Sequence, residues 1–152
     1  MQFNRRGNPY AAYQDTGIKT ASQGKLVVML YQGAVRELSA AQDCFSTDAK
    51  THRDIIKPQL IEGFGKHILK AQEIIGELQV SLNMEKGGDL AKNLMSLYVY
   101  FNQELSAASI TKDKKKVTFV LDMMRQLTSA WETAANSTQT TNVAQPTLNI
   151  QG

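Results

Sequence analysis

The sequence predicts an all-α protein, an antiparallel up-and-down four-helix bundle, from three observations. Apolar residues recur at helical spacing in four separate blocks, the pattern of amphipathic helices. Each block has about the 20 residues that make roughly 30 Å of helix. The connections after the second and third blocks are short, which favours antiparallel neighbours. A chain of 152 residues is one domain by length, and at this size folding buries roughly 70% of the unfolded chain's surface, enough for one sizeable core. Residues 1–21 read as a flexible leader carrying a tyrosine-bearing docking segment, 22–136 as the bundle and 137–152 as a disordered tail.

The leader holds Asn8-Pro9-Tyr10 and Tyr13 ahead of any helical pattern. Tyr10 and Tyr13 are three apart, so one helical turn would put both rings on one face. Pro9 suits the first turn of such a helix with Asn8 as its cap. Two amphipathic rings outside a recognisable helix look for an apolar surface to lie on. The first helix carries Leu26, Val27, Leu30, Ala34, Leu38, Ala41 and Phe45, with Ser22 or Thr20 placed to cap its amides.

Residues 46–61 read as a loop with one short extra helical turn: Thr47, Asp48, Thr51 and Asp54 are turn and capping types, and Pro58 fits a first-turn position or a break. The second helix starts after Pro58 and carries Leu60, Phe64, Ile68, Ala71, Ile75, Leu78 and Leu82. Gly87-Gly88 ends that pattern, since paired glycines favour the left-handed turn after a helix. The third starts at Gly88 or Asp89, with Leu90, Leu94, Leu97, Tyr98, Phe101, Leu105 and Ala108. The fourth spans about 113–136 with Val117, Val120, Leu121, Met124, Leu127, Trp131 and Ala134. The last 16 residues carry no charge and little apolar content, so they cannot form a core.

Charge and cysteine content bound the function. The pI is about 9.0, but the excess sits in residues 1–25, where Arg5, Arg6, Lys19 and Lys25 face only Asp15; residues 26–152 hold 13 basic and 13 acidic side chains. One cluster, Lys112, Lys114, Lys115 and Lys116, reads as a solvated face without interleaved aromatics. The single Cys44 cannot form an internal disulfide and fits a small buried hydrophobe in a reducing compartment, the cytoplasm by default. Arg5 and Arg6 are followed by no apolar run, so no secretory signal is expected, and the longest wholly apolar run, 26–31, is too short to span a bilayer.

Catalytic and metal chemistry find little support. His52 and His67 lack the Glu-x-x-His spacing of a di-iron bundle. Gly63-Phe64-Gly65-Lys66 has neither a preceding strand nor a following Ser or Thr, so it is a poor phosphate loop. Glu73 and Glu77, one turn apart, read as solvent-facing. No enzyme activity and no cofactor are expected. Among the aromatics, Tyr31, Tyr98, Tyr100, Phe101 and Trp131 supply core bulk, but Tyr98 and Tyr100 face different sides of a helix. One of them reaches the surface, where with Met29, Met95 and Met124 it would suit an adaptable groove for a partner helix.

Several motifs occur in a telling order: Asn8-Pro9-Tyr10-x-Ala12-Tyr13, Thr20-Ala21-Ser22-x-Gly24-x-Leu26, Met29-Leu30-Tyr31-x-Gly33-Ala34, Lys70-Ala71-Gln72-x-Ile74-Ile75-x-Glu77-Leu78, Gly87-Gly88-x-Leu90-Ala91-x-Asn93-Leu94 and Leu97-Tyr98-x-Tyr100, with Ala130-Trp131 in the last helix. Over roughly residues 8–135 the chain resembles the FliS family of flagellar secretion chaperones. Two departures stand out. Gln23 and Lys25 stand where that family usually has Pro and Glu, which removes a capping box, and the 46–61 linker is longer than expected.

The resemblance implies a cytoplasmic, non-enzymatic bundle that binds the C-terminal region of flagellin, keeps it from polymerising early and presents it to the flagellar export apparatus. The partner-binding residues of this reading are Asn8, Pro9, Tyr10, Tyr13, Leu26, Met29, Tyr31, Met95 and Tyr98. Neither nucleic acid nor membrane insertion is expected, and an empty groove would favour a weak homodimer. The alternative is a small basic regulatory module that binds nucleic acid or an acidic partner through Arg5, Arg6 and Lys112 to Lys116.

Overall fold

Leu26, Leu30, Ala34, Leu38 and Ala41 fall at spacings of three and four, and they form the inner stripe of helix α1, Gln23–Gln42. The structure, a computed structural model, describes residues 23–141, with side chains through Asn136. Three more helices follow: α2, Ile61–Ser81; α3, Gly88–Thr111; and α4, Lys114–Thr141. The four-helix bundle expected from the apolar periodicity is the fold that forms. The leader with Asn8, Pro9, Tyr10 and Tyr13, and the proposed caps Thr20 and Ser22, lie outside the described residues.

Cross-helix contacts fix the topology. Glu37 on α1 meets His67 on α2 at 2.8 Å, while Gln32 bonds Glu132 at 2.9 Å and Gln42 bonds Thr118 at 2.7 Å across α1 and α4. Gln72 Nε2 donates to the Ser106 hydroxyl at 2.9 Å, Gln79 approaches the Met95 sulfur at 3.5 Å, and Lys116 pairs with Glu104 at 3.3 Å. Along the α1–α4 and α2–α3 seams one residue number rises as the other falls, so these neighbours run antiparallel and α4 closes back on α1. The enclosed core is continuous and apolar, with Tyr31, Tyr98, Phe64 and Phe101 among its largest fully buried side chains and no buried charged residue among those described.

The segment read as a loop is instead a short β-hairpin. Strand β1, Phe45–Thr47, pairs antiparallel with β2, Asp54–Ile56, in the register Phe45 to Ile56, Ser46 to Ile55 and Thr47 to Asp54. Its turn is held by the Asp48 carboxylate, which accepts from the Thr51 amide at 2.7 Å and the Thr51 hydroxyl at 2.9 Å. These bonds hold the carboxyl below its usual range, because they favour the ionised form. His52 takes the left-handed conformation the turn needs, at φ 59°. Phe45 packs edge-on against Phe64 with ring centroids 5.3 Å apart, pinning the hairpin to α2. The expected helical turn is present as a 3₁₀ turn, Pro58–Leu60, with Pro58 opening it.

Two boundaries differ from expectation. Helix α2 stops at Ser81, not at the paired glycines: Leu82 turns extended, and the Asn83 side-chain carbonyl accepts from the amides of Glu85 at 3.1 Å and Lys86 at 2.9 Å. Gly87 and Gly88 therefore open α3. A β-carbon on Gly87 would lie 2.5 Å from the Ala91 Cβ and 2.7 Å from the Asn83 carbonyl oxygen, and Gly88 has φ 58°, which glycine adopts without steric penalty. Helix α4 runs to Thr141, five residues past the predicted end at Asn136. Once a helix exists, each added residue gains a hydrogen bond without a new nucleation step, so even polar residues extend it.

A candidate partner-binding cleft

The end of the bundle where α1 begins and α2 finishes is open. The five residues after Leu82 turn outward to reach α3, which leaves a cleft of about 790 Å³ between the start of α1, the 82–87 turn, the first half of α3 and Trp131 of α4. Val27, Leu90, Leu94, Tyr98 and Trp131 supply apolar lining, and Gln23, Met84, Glu85 and Lys86 border it. An apolar hollow with a polar margin is the usual form of a recognition site. The described residues contain no group of three or more His, Cys, Asp or Glu side chains placed to hold a metal ion.

Beneath the cleft three aromatic residues interlock. The Tyr31 and Tyr98 hydroxyls, both buried, hydrogen-bond to each other across the bundle diagonal; their ring centroids are 6.4 Å apart, and the Trp131 ring lies tilted by 31° with its centroid 6.2 Å from that of Tyr31. Burial pushes the Tyr31 phenol up to about 12, moderated by Tyr98 and by the Trp131 N–H. Burial, with the adjacent Tyr31 oxygen, pushes Tyr98 up further still. Both phenols are therefore neutral, and the pair works as one donor and one acceptor closed off from water. The Trp131 N–H completes no hydrogen bond of ordinary geometry among the described residues.

The predicted binding residues fall in three places. Leu26 and Tyr31 are enclosed in the core, Tyr98 forms part of the cleft floor while almost wholly buried, and Met29 and Met95 are half-buried. Met124, weighed as a groove residue, is fully buried, and of the two tyrosines on α3 it is Tyr100 that reaches the surface. Val27, Leu90, Leu94 and the 82–87 turn went unnoticed as lining residues because periodicity assigns a residue to the inner face without showing where that face is uncovered. The exposed Met84 in the turn was the available signal.

An apolar surface continues outside the cleft along α2 and α3. Leu69, Gly76 and Val80 are spaced i, i+7 and i+11 on α2, with Val80 70% exposed, and Ile110 on α3 is 80% exposed. A β-carbon on Gly65 or Gly76 would meet nothing within 4 Å, so these glycines serve no internal close approach. Gly63 and Gly65 lie inside α2 flanking the buried Phe64, and Lys66 pairs with Glu62 at 3.5 Å; the glycine-lysine sequence forms helix rather than a phosphate loop. No helix of the described residues is long and apolar enough to cross a membrane.

The family described as flagellar protein FliS matches residues 6–138. The chain is 28% identical to the flagellar secretion chaperone FliS of Bacillus subtilis (strain 168), over 86% of this chain and 88% of that protein. It is 31% identical to the flagellar secretion chaperone FliS of Vibrio cholerae serotype O1, over 78% of this chain and 79% of the relative. Its identity to the corresponding chaperone of Campylobacter jejuni is also 31%, over 90% of this chain and 96% of the relative. A match over residues 6–138, which takes in the leader motifs and the turn that opens the cleft, shows that this chain belongs to the FliS family of flagellar secretion chaperones.

Proposed function

We propose that this chain is a cytoplasmic export chaperone that takes up the C-terminal helical segment of flagellin, keeps it out of filament contacts and carries it to the export apparatus. The observation that carries the reading is the open apolar cleft over Tyr98 and Trp131. Magnitudes indicate how much surface the client must cover. Ordering a disordered segment costs about 2–5 kcal/mol and association costs about 4 kcal/mol or more. At about 25 cal/mol per Å² these together call for several hundred Å² of apolar burial. The client must therefore extend beyond the cleft, and the face bearing Leu69, Val80, Val99 and Ile110 offers the further area, with Gly65 and Gly76 permitting close backbone approach.

Gln23 and Gly24 line the cleft, so the chain enters the bundle at its margin. In this proposal Tyr10 and Tyr13 act as an internal stand-in for the client: a tether holds them at about millimolar local concentration, and even weak docking competes with a client. Trp131 is the single tryptophan and lies in the cleft, which makes it the reporter. Titration of a flagellin C-terminal peptide should change its fluorescence with one-to-one stoichiometry, and calorimetry should show a negative heat-capacity change. No heat and no fluorescence change at micromolar concentrations would refute the proposal.

A further inference from the structure

Beside the start of α4 a second surface combines exposed aromatic rings with positive charge. Tyr100 on α3 and Phe119 on α4 are 44% and 40% exposed. They pack edge-to-face at 5.9 Å, and Phe119 leans on the buried Phe101 at 6.5 Å. Beside them Asp54 of the hairpin and Lys114, Lys115, Thr118, Phe119 and Asp122 enclose a hollow of about 360 Å³, room for one anchoring side chain.

The carboxylates bordering this surface are engaged. Asp54 pairs with Lys114 at 3.8 Å, Glu104 with Lys116 at 3.3 Å and Asp122 with Arg125 at 3.9 Å. Asp113 accepts from the Lys115 amide at 2.9 Å. The exposed Lys115 ammonium makes no ion pair among the described residues, and Lys112 donates only to a backbone carbonyl. Three lysines in the first turn of α4, with no acidic residue there, oppose the helix dipole. Lys114 and Lys116 have carboxylate partners; Lys115 is the one whose charge breaks the local rule without compensation among the described residues, and such residues mark functional surfaces.

We propose that this aromatic and basic face docks an acidic peptide segment carrying an apolar anchor, a partner distinct from the client of the cleft. The anchor fills the hollow beside Phe119, and carboxylates flanking it reach Lys112 and Lys115. Nucleic acid fits less well: the edge-to-face pair covers part of the ring faces a base would stack on, and the interleaved Asp54, Asp113 and Asp122 repel a continuous phosphate backbone. The hollow and the cleft share no lining residue, so both partners bind together.

The test uses the full-length protein and a fluorescein-labelled amphipathic peptide with Glu on its polar face and Leu and Phe on its apolar face. Its Lys-for-Glu counterpart and a single-stranded oligonucleotide serve as competing probes. The acidic peptide should bind, with anisotropy reporting a Kd that rises about fivefold or more in Tyr100→Ser and about tenfold in Lys115→Glu. Flagellin-peptide binding and the thermal midpoint should hold in both variants. No binding of the acidic peptide, equal binding to both variants, or tighter binding of the oligonucleotide or the basic peptide would overturn the proposal. So would self-association of the wild type, measured by sedimentation, that Tyr100→Ser abolishes, since the face would then be an interface between copies of this chain.

Discussion

Replacing either member of the Tyr31–Tyr98 pair with phenylalanine tests how the bundle closes beneath its cleft. Tyr31 is 0% and Tyr98 1% exposed, so Tyr98→Phe leaves the Tyr31 hydroxyl donor without water or a partner, and Tyr31→Phe does the same to Tyr98. An orphaned buried hydroxyl costs about 1–3 kcal/mol, or roughly 2–10 °C of melting temperature at this size. Tyr31→Phe should be the costlier, because it also removes the oxygen nearest the Trp131 N–H. The double substitution removes both partners together and should cost less than the sum of the singles, with a coupling of about 1–2 kcal/mol in a urea-denaturation cycle.

Alkaline pH supplies an independent readout. The folded-state pKa of Tyr31, pushed up to about 12, exceeds its ordinary 10.0, so above pH 10 the unfolded chain binds fewer protons than the native one. Stability contributed by the pair is fully present below pH 10 and is lost as pH rises toward 12, at about 1.4 kcal/mol per pH unit for each tyrosine. The double variant should flatten that slope. Additive single effects together with an unchanged alkaline slope would show that the hydroxyls are not coupled and that the shared hydrogen bond is not a feature of the molecule in solution.

The glycines of the bundle should separate into opposite classes. Gly87→Ala should destabilise by about 1–3 kcal/mol because its β-carbon has no room, whereas Gly76→Ala should stabilise the free protein by about 0.5–1 kcal/mol while weakening client binding; urea denaturation and calorimetry measure both. Truncation after Asn136 should shift the melting temperature by less than about 2 °C, since the residues removed bring no apolar stripe, and a drop of several degrees would show that they pack on the bundle. Tyr10→Ala with Tyr13→Ala should raise self-association of the empty protein if the rings only cover the cleft, or weaken the flagellin peptide if they also contact it. Sedimentation and titration distinguish these outcomes, and no change in either would dismiss the leader's role.

The helices were legible because burial in a bundle has one period, and residues such as Phe64, Ile68, Ala71, Ile75 and Leu78 announce it over five turns. The hairpin was not. Its strands are three residues long, too short to show alternation, and the Asp48 turn that organises it uses the same residue types as any loop. The start of α3 at Gly88 was visible, but the earlier end of α2 at Ser81 was not, because Asn83, which organises the turn after it, is a weaker helix-ending signal than the paired glycines. The cleft was legible only in part. Tyr98 was named and lies in its floor, but the gap over Leu90 and Leu94 comes from the path of the 82–87 turn, a property of backbone geometry that hydropathy does not encode.

The polar links between helices, Glu37 to His67, Gln42 to Thr118, Gln32 to Glu132 and Gln72 to Ser106, all lie on the outer margins of the seams, while the interior beneath the cleft is hydrocarbon apart from one pair of phenols and an indole. Register is thus written on the outside and the shape of the recognition surface on the inside, by different residues. Substitution among Val27, Leu90 and Leu94 reshapes the floor without touching the contacts that align the helices. A few methyl groups exchanged at one end of the bundle are enough to change the shape of the cleft while the scaffold stays as it is.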